Sequence, residues 1–442
     1  MTTILPVDRR SRSFVHQRTT PVHNSLASVV SALESLPAWD GVLATDLTLA
    51  RVVFRKRPPV AREDTADEAP LRDRDMDRIR HWFEVSHGVK LSKENVVDAV
   101  RIVADQHAFH PVRDYLTGLS WDGRPRVDRW LERYAGVRPE GEAHAALVRS
   151  VARKWHVSAV ARAMEPGCKV DTMLILEGRQ GIGKSRALAT LAGERFFSDA
   201  AIDFGTKDAC QTIQGAWIFE LAELDAILRR EPATVKAFLS RATDTFRVPY
   251  GRAPESVPRG VVFAGTVNHG AYLRDTTGNR RYWVVRCEGP LDVPGLAEAR
   301  DQLWAEALHR YRSGETWHLA PADERSMAVE TEARVEADPW EESLAAWTDT
   351  CDRPFTMAEA LSDALGLKTS SKSSQVTIRV SRILARLGFE RRRRATLPRA
   401  YQYVRVPVSP SHRPSTPQQT SQPATPTSPP SPSPATTTRS SL

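Results

Sequence analysis

The segment EGRQGIGKS, residues 177–185, lies between the apolar run MLIL at 173–176 and the helix-favouring run RALATLA at 186–192. A buried strand, a glycine-rich turn and a helix in this order form a phosphate-binding arrangement, because glycines let backbone N–H groups turn toward phosphate oxygens. The segment therefore predicts an α/β fold that binds a nucleoside triphosphate at this loop.

The loop satisfies the phosphate-loop pattern GxxxxGK[ST] in full. Lys184 is expected to reach the β and γ phosphates of ATP, and the hydroxyl of Ser185 is expected to bind Mg²⁺. ATP and Mg²⁺ are therefore the expected cofactors. The predicted nucleotide contacts are Gly178, Arg179, Gln180, Gly181, Ile182, Gly183, Lys184 and Ser185.

Around this loop, residues 141–320 alternate between helical and extended patterns. Strands that alternate with helices predict a parallel sheet with right-handed crossovers. The expected strands lie at 172–176, 195–198, 217–221, within 246–251 and 259–268, and at 281–287.

The strand pattern WIFELAELD, residues 217–225, contains three acids. A phosphate loop needs acids at the end of a neighbouring strand to hold the metal and orient water. Strand periodicity predicts that Glu223 lies on the opposite side from Glu220. Glu223 is nearer the carboxyl end of the strand, where ligands bind in open α/β sheets, and is the first choice for water activation. Both acids are candidate metal ligands, with a solvated surface carboxylate as the alternative for Glu220.

Three polar residues further along the chain complete the predicted catalytic set. Asn268 ends the strand pattern VVFAGTVN and is expected to contact the attacking water or the γ phosphate, with a turn residue as the alternative. Arg280 and Arg281 precede the last strand. An arginine delivered to the nucleotide of a neighbouring copy stabilises transition-state charge, so one of the pair is a candidate for that role. A solvent-facing arginine pair is the alternative.

The segment between the acids and Asn268 predicts a DNA-binding hairpin, because two extended runs flank a glycine-containing turn. Guanidinium groups and an aromatic ring can follow a single-stranded backbone through charge and stacking. Pairing with acids or with ATP phosphates is the alternative for some of these arginines. The predicted DNA contacts are Arg247, Tyr250, Arg252 and Arg259.

The remaining sequence divides the chain into five parts. Residues 1–36 lack hydrophobic periodicity and residues 407–442 are rich in Pro, Ser and Thr, so both are expected to be disordered. Residues 37–140 predict a helical region, 141–320 the nucleotide-binding core, and 335–406 a winged-helix-like module.

The winged-helix-like module is strongly basic. Eleven Lys or Arg residues lie between Lys368 and Arg405 against one acid, Glu390. A recognition helix followed by a basic two-stranded wing predicts DNA binding, with Arg391 and Arg392 as candidate contacts. A solvated wing is the alternative.

Composition excludes several other classes of protein. No run approaches the 18 apolar residues of a membrane span, and the N-terminal segment lacks the apolar core of a signal peptide, so a cytoplasmic protein is expected. The four cysteines form no CxxC pair and the histidines show no ligand spacing, so neither a disulfide framework nor a zinc site is expected.

Five segments together resemble the virulence-associated protein E family, the phage and prophage ATPases related to superfamily 3 helicases. They occur in the family's order and cover about residues 105–290. The segments are HPVRDYLTGLSWDGRPRVDRW, LEGRQGIGKS, GAWIFELAELD, VKAFLSRATDTFRVPYGRA and GTVNHGAYLRDTTGNRRYW.

This resemblance implies an AAA+-like core that works as a ring, expected to be a hexamer, and uses ATP hydrolysis on DNA during replication of a mobile element. It implies that Lys184 and Ser185 belong to Walker A, Glu220 and Glu223 to the Walker B region, Asn268 to sensor 1, and Arg280 or Arg281 to the arginine finger. Many relatives carry a primase-polymerase domain in front, but this chain shows no acid pair for one. Primase activity is therefore not expected.

Two other functions remain as alternatives to a helicase. One is a phosphate-loop ATPase that acts as a switch without unwinding DNA. The other is a DNA-binding or phage-interference protein in which ATP controls assembly only. A small-molecule kinase is disfavoured, because no lid or acceptor site is visible and the basic C-terminal module would have no role.

Overall fold

The structure, a computed structural model, describes residues 21–60, 68–206, 208–246, 253–268, 270–273, 278–336, 338–367, 373–393 and 401–406. The chain divides into two compact units, Met1–Glu336 and Ala337–Leu442. Among the described helices, none has the length and apolar character needed to cross a membrane.

The first unit begins with a small mixed region and continues into a larger α/β region. The first region contains α1 (Leu26–Ser35), β1 (Leu43–Asp46), β2 (Arg51–Phe54), β3 (Ala69–Pro70), α2 (Asp73–His87) and α3 (Lys93–Gln106). The next elements are α4 (Pro111–Gly118), α5 (Trp130–Tyr134), α6 (Gly141–Met164), β4 (Met173–Glu177), α7 (Lys184–Ala192), β5 (Phe197–Ser198), α8 (Ala209–Thr212) and β6 (Ile218–Leu221). The unit ends with α9 (Leu224–Arg230), α10 (Pro232–Leu239), β7 (Thr243–Phe246), β8 (Glu255–Pro258), β9 (Val262–Val267), β10 (Tyr282–Arg286), α11 (Val293–Arg312) and α12 (Pro321–Glu332).

Five parallel strands form the central sheet, in the order β10-β4-β9-β6-β5. Strands β4, β6 and β9 consist of buried residues throughout, as expected where helices cover both faces of a parallel sheet. Leu174 and Leu176 face a core shared with α6, α7 and α11, and Met173 and Ile175 face a core shared with α9 and α10. The predicted α/β class with a parallel sheet is confirmed.

Strands β7 and β8 form a separate antiparallel pair, with Phe246 opposite Glu255. They lie in the chain between α10 and β9, where the sequence predicts a hairpin, and we call this pair of strands the hairpin. The residues between the strands, 247–252, lie outside the described part of the chain.

The N-terminal region differs from the expectation in two places. Leu26–Ser35 forms a helix within the expected disordered arm, because Val29 and Leu33 pack against α3 and its neighbours. The region expected to be helical also contains the antiparallel sheet β1-β2-β3. Its short apolar runs show neither two-residue nor helical periodicity over enough residues to identify a strand.

The second unit contains α13 (Pro339–Asp349), α14 (Met357–Glu359), a π-helical turn (Ala360–Ala364), α15 (Ser374–Arg386), β11 (Phe389–Arg393) and β12 (Tyr401–Arg405). Strands β11 and β12 pair antiparallel, and Phe355 adds a single bridge to Tyr403. Val380, Ile383 and Leu384 of α15 form the core with these strands. A helix followed by a two-stranded sheet is the order predicted for the winged-helix-like module.

Glu306 on α11 fixes the segment that leads into α5. Its buried carboxylate accepts hydrogen bonds from the backbone N–H groups of Arg126 and Val127, and a second pair from the guanidinium of Arg310. Replacing Glu306 with Ala would leave two backbone donors without a partner, so we expect the free energy of unfolding to fall by about 1–3 kcal/mol. Glu306→Gln keeps an acceptor and should lose less. Urea unfolding of the two variants beside wild type measures the difference; equal losses would contradict this role.

Candidate functional site

The glycine-rich loop joins the carboxyl end of β4 to the first turn of α7. Gly183 has φ of +101°, a conformation that favours glycine. A Cβ atom added at Gly178 would lie 2.5 Å from the backbone oxygen of Cys287, so the loop passes too close to β10 for any side chain. The backbone conformation of the loop therefore depends on glycine at both positions.

Lys184 lies at the first position of α7 with only 7% of its surface exposed. Its Nζ donates to the carbonyls of Gly178 at 2.6 Å and Arg179 at 2.8 Å, and to Asn268 Oδ1 at 3.4 Å. Burial lowers the pKa of the Lys184 amine. The amine is thus held inside the loop by carbonyl oxygens that another acceptor, such as a phosphate oxygen, could replace.

Glu220 on β6 connects three segments of the site. Its Oε1 accepts hydrogen bonds from Ser185 Oγ at 2.7 Å and from Thr266 Oγ1 at 2.6 Å. Burial raises the pKa of the Glu220 carboxyl, and the hydrogen bonds from Thr266 and Ser185 oppose that rise. Glu220 Oε2 is buried and has no hydrogen-bond partner among the described residues. The geometry excludes a solvated surface position for this acid.

Asn268 follows β9 directly, beside the start of the loop. The register pairs Glu177 with Val267, and the N–H of Gly178 donates to the Val267 carbonyl at 3.0 Å. Because β4, β6 and β9 are parallel, Lys184, Glu220 and Asn268 meet at the carboxyl edge of the sheet. The structure thus brings together three of the predicted catalytic residues.

Glu223 lies near this edge, beyond the end of the strand from which its position was predicted. Strand β6 ends at Leu221, and Glu223 has φ of +49°, in the left-handed region. The alternation rule therefore no longer applies at Glu223, so the predicted position on the opposite side from Glu220 has no basis in strand geometry. Both acids line one cavity of about 670 Å³, and Glu223 is exposed there. Three further acids contribute to its wall: Asp199, Asp203 and Glu231.

Arg280 and Arg281 lie at the opposite edge of the sheet. Strand β10 is parallel to β4, with Tyr282 opposite Met173 and Arg286 opposite Glu177. The two arginines precede β10 while the loop follows β4, so about five strand residues, roughly 16 Å, separate them. Neither arginine is placed to reach the loop of its own chain.

Of the four DNA contacts predicted between the acids and Asn268, only Arg259 lies among the described residues. Arg259 is 2% exposed and pairs with Asp244 of β7 through both ends of its guanidinium, with 2.8 Å from Nε to Oδ2. A side chain buried in this ion pair cannot reach DNA, so the predicted contact by Arg259 is wrong. Arg247, Tyr250 and Arg252 lie outside the described residues.

In the second unit, Arg391 and Arg392 are exposed on β11. The Arg391 guanidinium lies 4.0 Å from the centre of the Tyr401 ring. Arg392 donates to Glu390, with 2.8 Å from Nη2 to Oε2. Arg393 is exposed beside them. The wing therefore presents several guanidinium groups to solvent.

Sequence reasoning missed two residues of the site. Thr266 shares the Glu220 carboxylate, and its position two residues before Asn268 on a parallel strand was the available signal. Arg334, after α12, forms an ion pair with Glu177 at 2.9 Å, immediately before the loop. No sequence pattern connects these two residues, which are 157 positions apart.

The fold and loop define an α/β protein whose polar site lies at the carboxyl edge of a parallel sheet. The virulence-associated protein E-like domain model matches residues 116–336, half of the 442 residues, and the chain belongs to this family. The expected family is thereby confirmed. No curated protein matches the chain.

Two solved structures, both A-form apo structures of the C-terminal region of NrS-1, are similar to this chain. They share 10% and 12% sequence identity with it, at TM-scores of 0.36 and 0.38. Each alignment covers 82% of this chain and 96% of the other.

Burial of the Glu220 carboxylate predicts a pH-dependent effect of Glu220→Gln. A raised pKa means that the folded protein loses stability relative to the unfolded chain as pH rises from the ordinary value of 4.5. The variant carries no charge and avoids that loss, so its melting temperature relative to wild type should rise between pH 4.5 and 8. Thermal unfolding across this range checks the trend. Glu223→Gln, at an exposed position, is the matched control, and an equal trend there would contradict the assignment.

Proposed function

We propose that this protein is an ATP-dependent DNA motor of the helicase type, acting in replication of a phage or another mobile genetic element. The observation that carries the proposal is the convergence of Lys184, Ser185, Glu220 and Asn268 at one edge of the sheet. A backbone loop with a lysine and a hydroxyl provides the contacts of a triphosphate, and a carboxylate and an amide next to it can act on the bond that breaks.

Each residue has a distinct task in the proposed reaction. Lys184 exchanges its loop carbonyl partners for β and γ phosphate oxygens. Glu223, exposed in the cavity that Glu220 also lines, activates the attacking water. Asn268, within 3.4 Å of Lys184 Nζ, orients the γ phosphate or that water.

The donor set at Ser185 and Glu220 fits Mg²⁺. Hydroxyl and carboxylate oxygens are ligands that Mg²⁺ accepts, and it usually completes its shell with substrate phosphates and water. The unpartnered Oε2 of Glu220 supplies a free acceptor at this position. Among the described residues, no group of three or more His, Cys, Asp or Glu side chains could hold a metal. Ser185 and Glu220 would therefore hold Mg²⁺ together with phosphate oxygens and water. Mg²⁺, when bound, would neutralise phosphate charge.

The arginine pair supports an assembly in which copies share the site. Arg280 and Arg281 lie at the edge of the sheet opposite the loop of their own chain. An arginine can therefore reach a γ phosphate only on another copy, which is satisfied by a ring, proposed to be a hexamer. Arg247, Tyr250 and Arg252, which the sequence predicts to lie in a hairpin, would contact single-stranded DNA in that assembly.

The test of this function is ATP turnover and displacement of a labelled strand from forked DNA. Lys184→Ala should lower turnover by at least 10²-fold and abolish displacement, because the phosphates lose their charged contact. Glu34→Gln, in an exposed part of α1, is the control and should behave as wild type. ATP turnover without displacement of the labelled strand would favour the alternative of an ATPase that acts as a switch without unwinding DNA. DNA binding without turnover, with ATP-dependent assembly, would favour the interference protein.

We also propose that the second unit binds duplex DNA through its wing. Arg391→Ala and Arg393→Ala should each weaken binding and reduce the slope of log affinity against log salt by about one, as for loss of one phosphate contact. Arg353→Ala is the matched control, since this exposed arginine of the same unit is paired with Glu359 at 2.8 Å. Fluorescence anisotropy with labelled duplex DNA over a range of salt concentrations measures the slopes. Equal slopes for all three variants would contradict the wing as the binding surface.

A further inference from the structure

The two adjacent arginines, Arg280 and Arg281, have different environments. Arg281 is held on the protein: its Nε donates to Ser240 Oγ at 2.9 Å, and its Nη1 donates to the Gly278 carbonyl at 3.3 Å. Asp171 lies 4.0 Å from the same guanidinium. Arg280 is exposed, and no hydrogen bond or ion pair joins its side chain to the part of the chain that the structure describes.

The partner of Arg281 lies at the start of the hairpin. Ser240 directly follows α10, and β7 begins three residues later at Thr243. Lys169 Nζ also donates to the Ser240 carbonyl, at 3.1 Å. Arg281 therefore fixes the point from which the first hairpin strand leaves the body of the first unit.

Next to Ser240, hydrogen bonds from buried arginines join the residues that flank the two hairpin strands. Arg162, 1% exposed, donates to the carbonyls of Arg241 at 3.4 Å and Arg259 at 2.9 Å. Arg259, immediately after β8, in turn pairs with Asp244 of β7. Arg162 and Arg259 thus join the two strands to each other and to α6. We call Ser240, Arg241, Asp244 and Arg259 the hairpin base.

We infer that Arg281 is a positioning residue that couples the arginine segment to the hairpin base, and that Arg280 is the arginine delivered to the neighbouring copy. This inference rests on the proposed function. A guanidinium already bonded to Ser240 and Gly278 would have to break these contacts to reach another copy, whereas Arg280 has none to break among the described residues. When Arg280 is drawn toward a nucleotide, the adjoining Arg281 transmits the displacement through Ser240 to β7.

The first experiment separates the two arginines by complementation in mixed assemblies of the full chain. Arg280→Ala should lower ATP turnover about 10³-fold, as for loss of an arginine finger. Adding Lys184→Ala copies should restore part of that turnover, because those copies still donate Arg280 to an intact loop. If Lys184→Ala copies restored the ATP turnover of Arg281→Ala but not that of Arg280→Ala, the inference would be overturned and the proposed function would remain intact. Absence of ATP turnover in wild type would instead remove the proposed function.

The second experiment tests the link to the hairpin. Ser240→Ala removes only the hydroxyl, so we expect DNA-independent turnover within twofold of wild type and the stimulation by single-stranded DNA to fall about tenfold. Arg281→Ala should lower the same stimulation. The double variant should be stimulated as much as the more impaired single variant, because both substitutions remove the hydrogen bond between Arg281 and Ser240. Unchanged stimulation in Ser240→Ala, or additive losses in the double variant, would overturn the coupling. Melting temperatures of all variants control for loss of folding.

Discussion

One buried carboxylate oxygen, Oε1 of Glu220, is the contact on which the geometry of the site depends. It accepts hydrogen bonds from Ser185 on α7 and from Thr266 on β9, and so fixes the glycine-rich loop against two neighbouring strands. Burial makes the charged form of this group unfavourable, and its second oxygen has no partner among the described residues. A carboxylate kept at this position in spite of the cost of burial, in the wall of a cavity, supports the proposed role of Glu220 in binding.

The central sheet could be predicted from sequence because its signals are local. Buried parallel strands appear as short apolar runs, and β4, β6, β9 and β10 all lie within such runs. The loop follows from its glycines and lysine, and the positions of Glu220 and Asn268 follow from the rule that parallel strands end at one edge. The side of the sheet on which Glu223 lies could not be predicted in this way, because periodicity is valid only inside a strand and β6 stops two residues earlier.

Other features depended on contacts between distant segments. Arg259 has the composition and position of a DNA contact, but whether it faces solvent depends on Asp244, which meets it only when the hairpin closes. Arg334 and Glu177 come together only after α11 and α12 return to the sheet. The N-terminal helix α1 forms where composition suggests disorder, because α3 offers an apolar surface to Val29 and Leu33. In each case the contact is with a residue that is distant in the sequence, so no local sequence pattern predicts it.

The two edges of the sheet impose a direction on the proposed motor. The glycine-rich loop is at the carboxyl edge, while the arginine pair and the hairpin base are at the amino edge, close to where β4, β9 and β10 begin. In the proposed motor, the arginine that contacts a nucleotide therefore belongs to a different copy from the one that binds the nucleotide, and it lies next to the hairpin of its own copy. ATP hydrolysis in one copy would then displace the hairpin of the neighbouring copy. On the proposed mechanism, the separation of the two edges means that a single copy lacks the arginine that completes its own site.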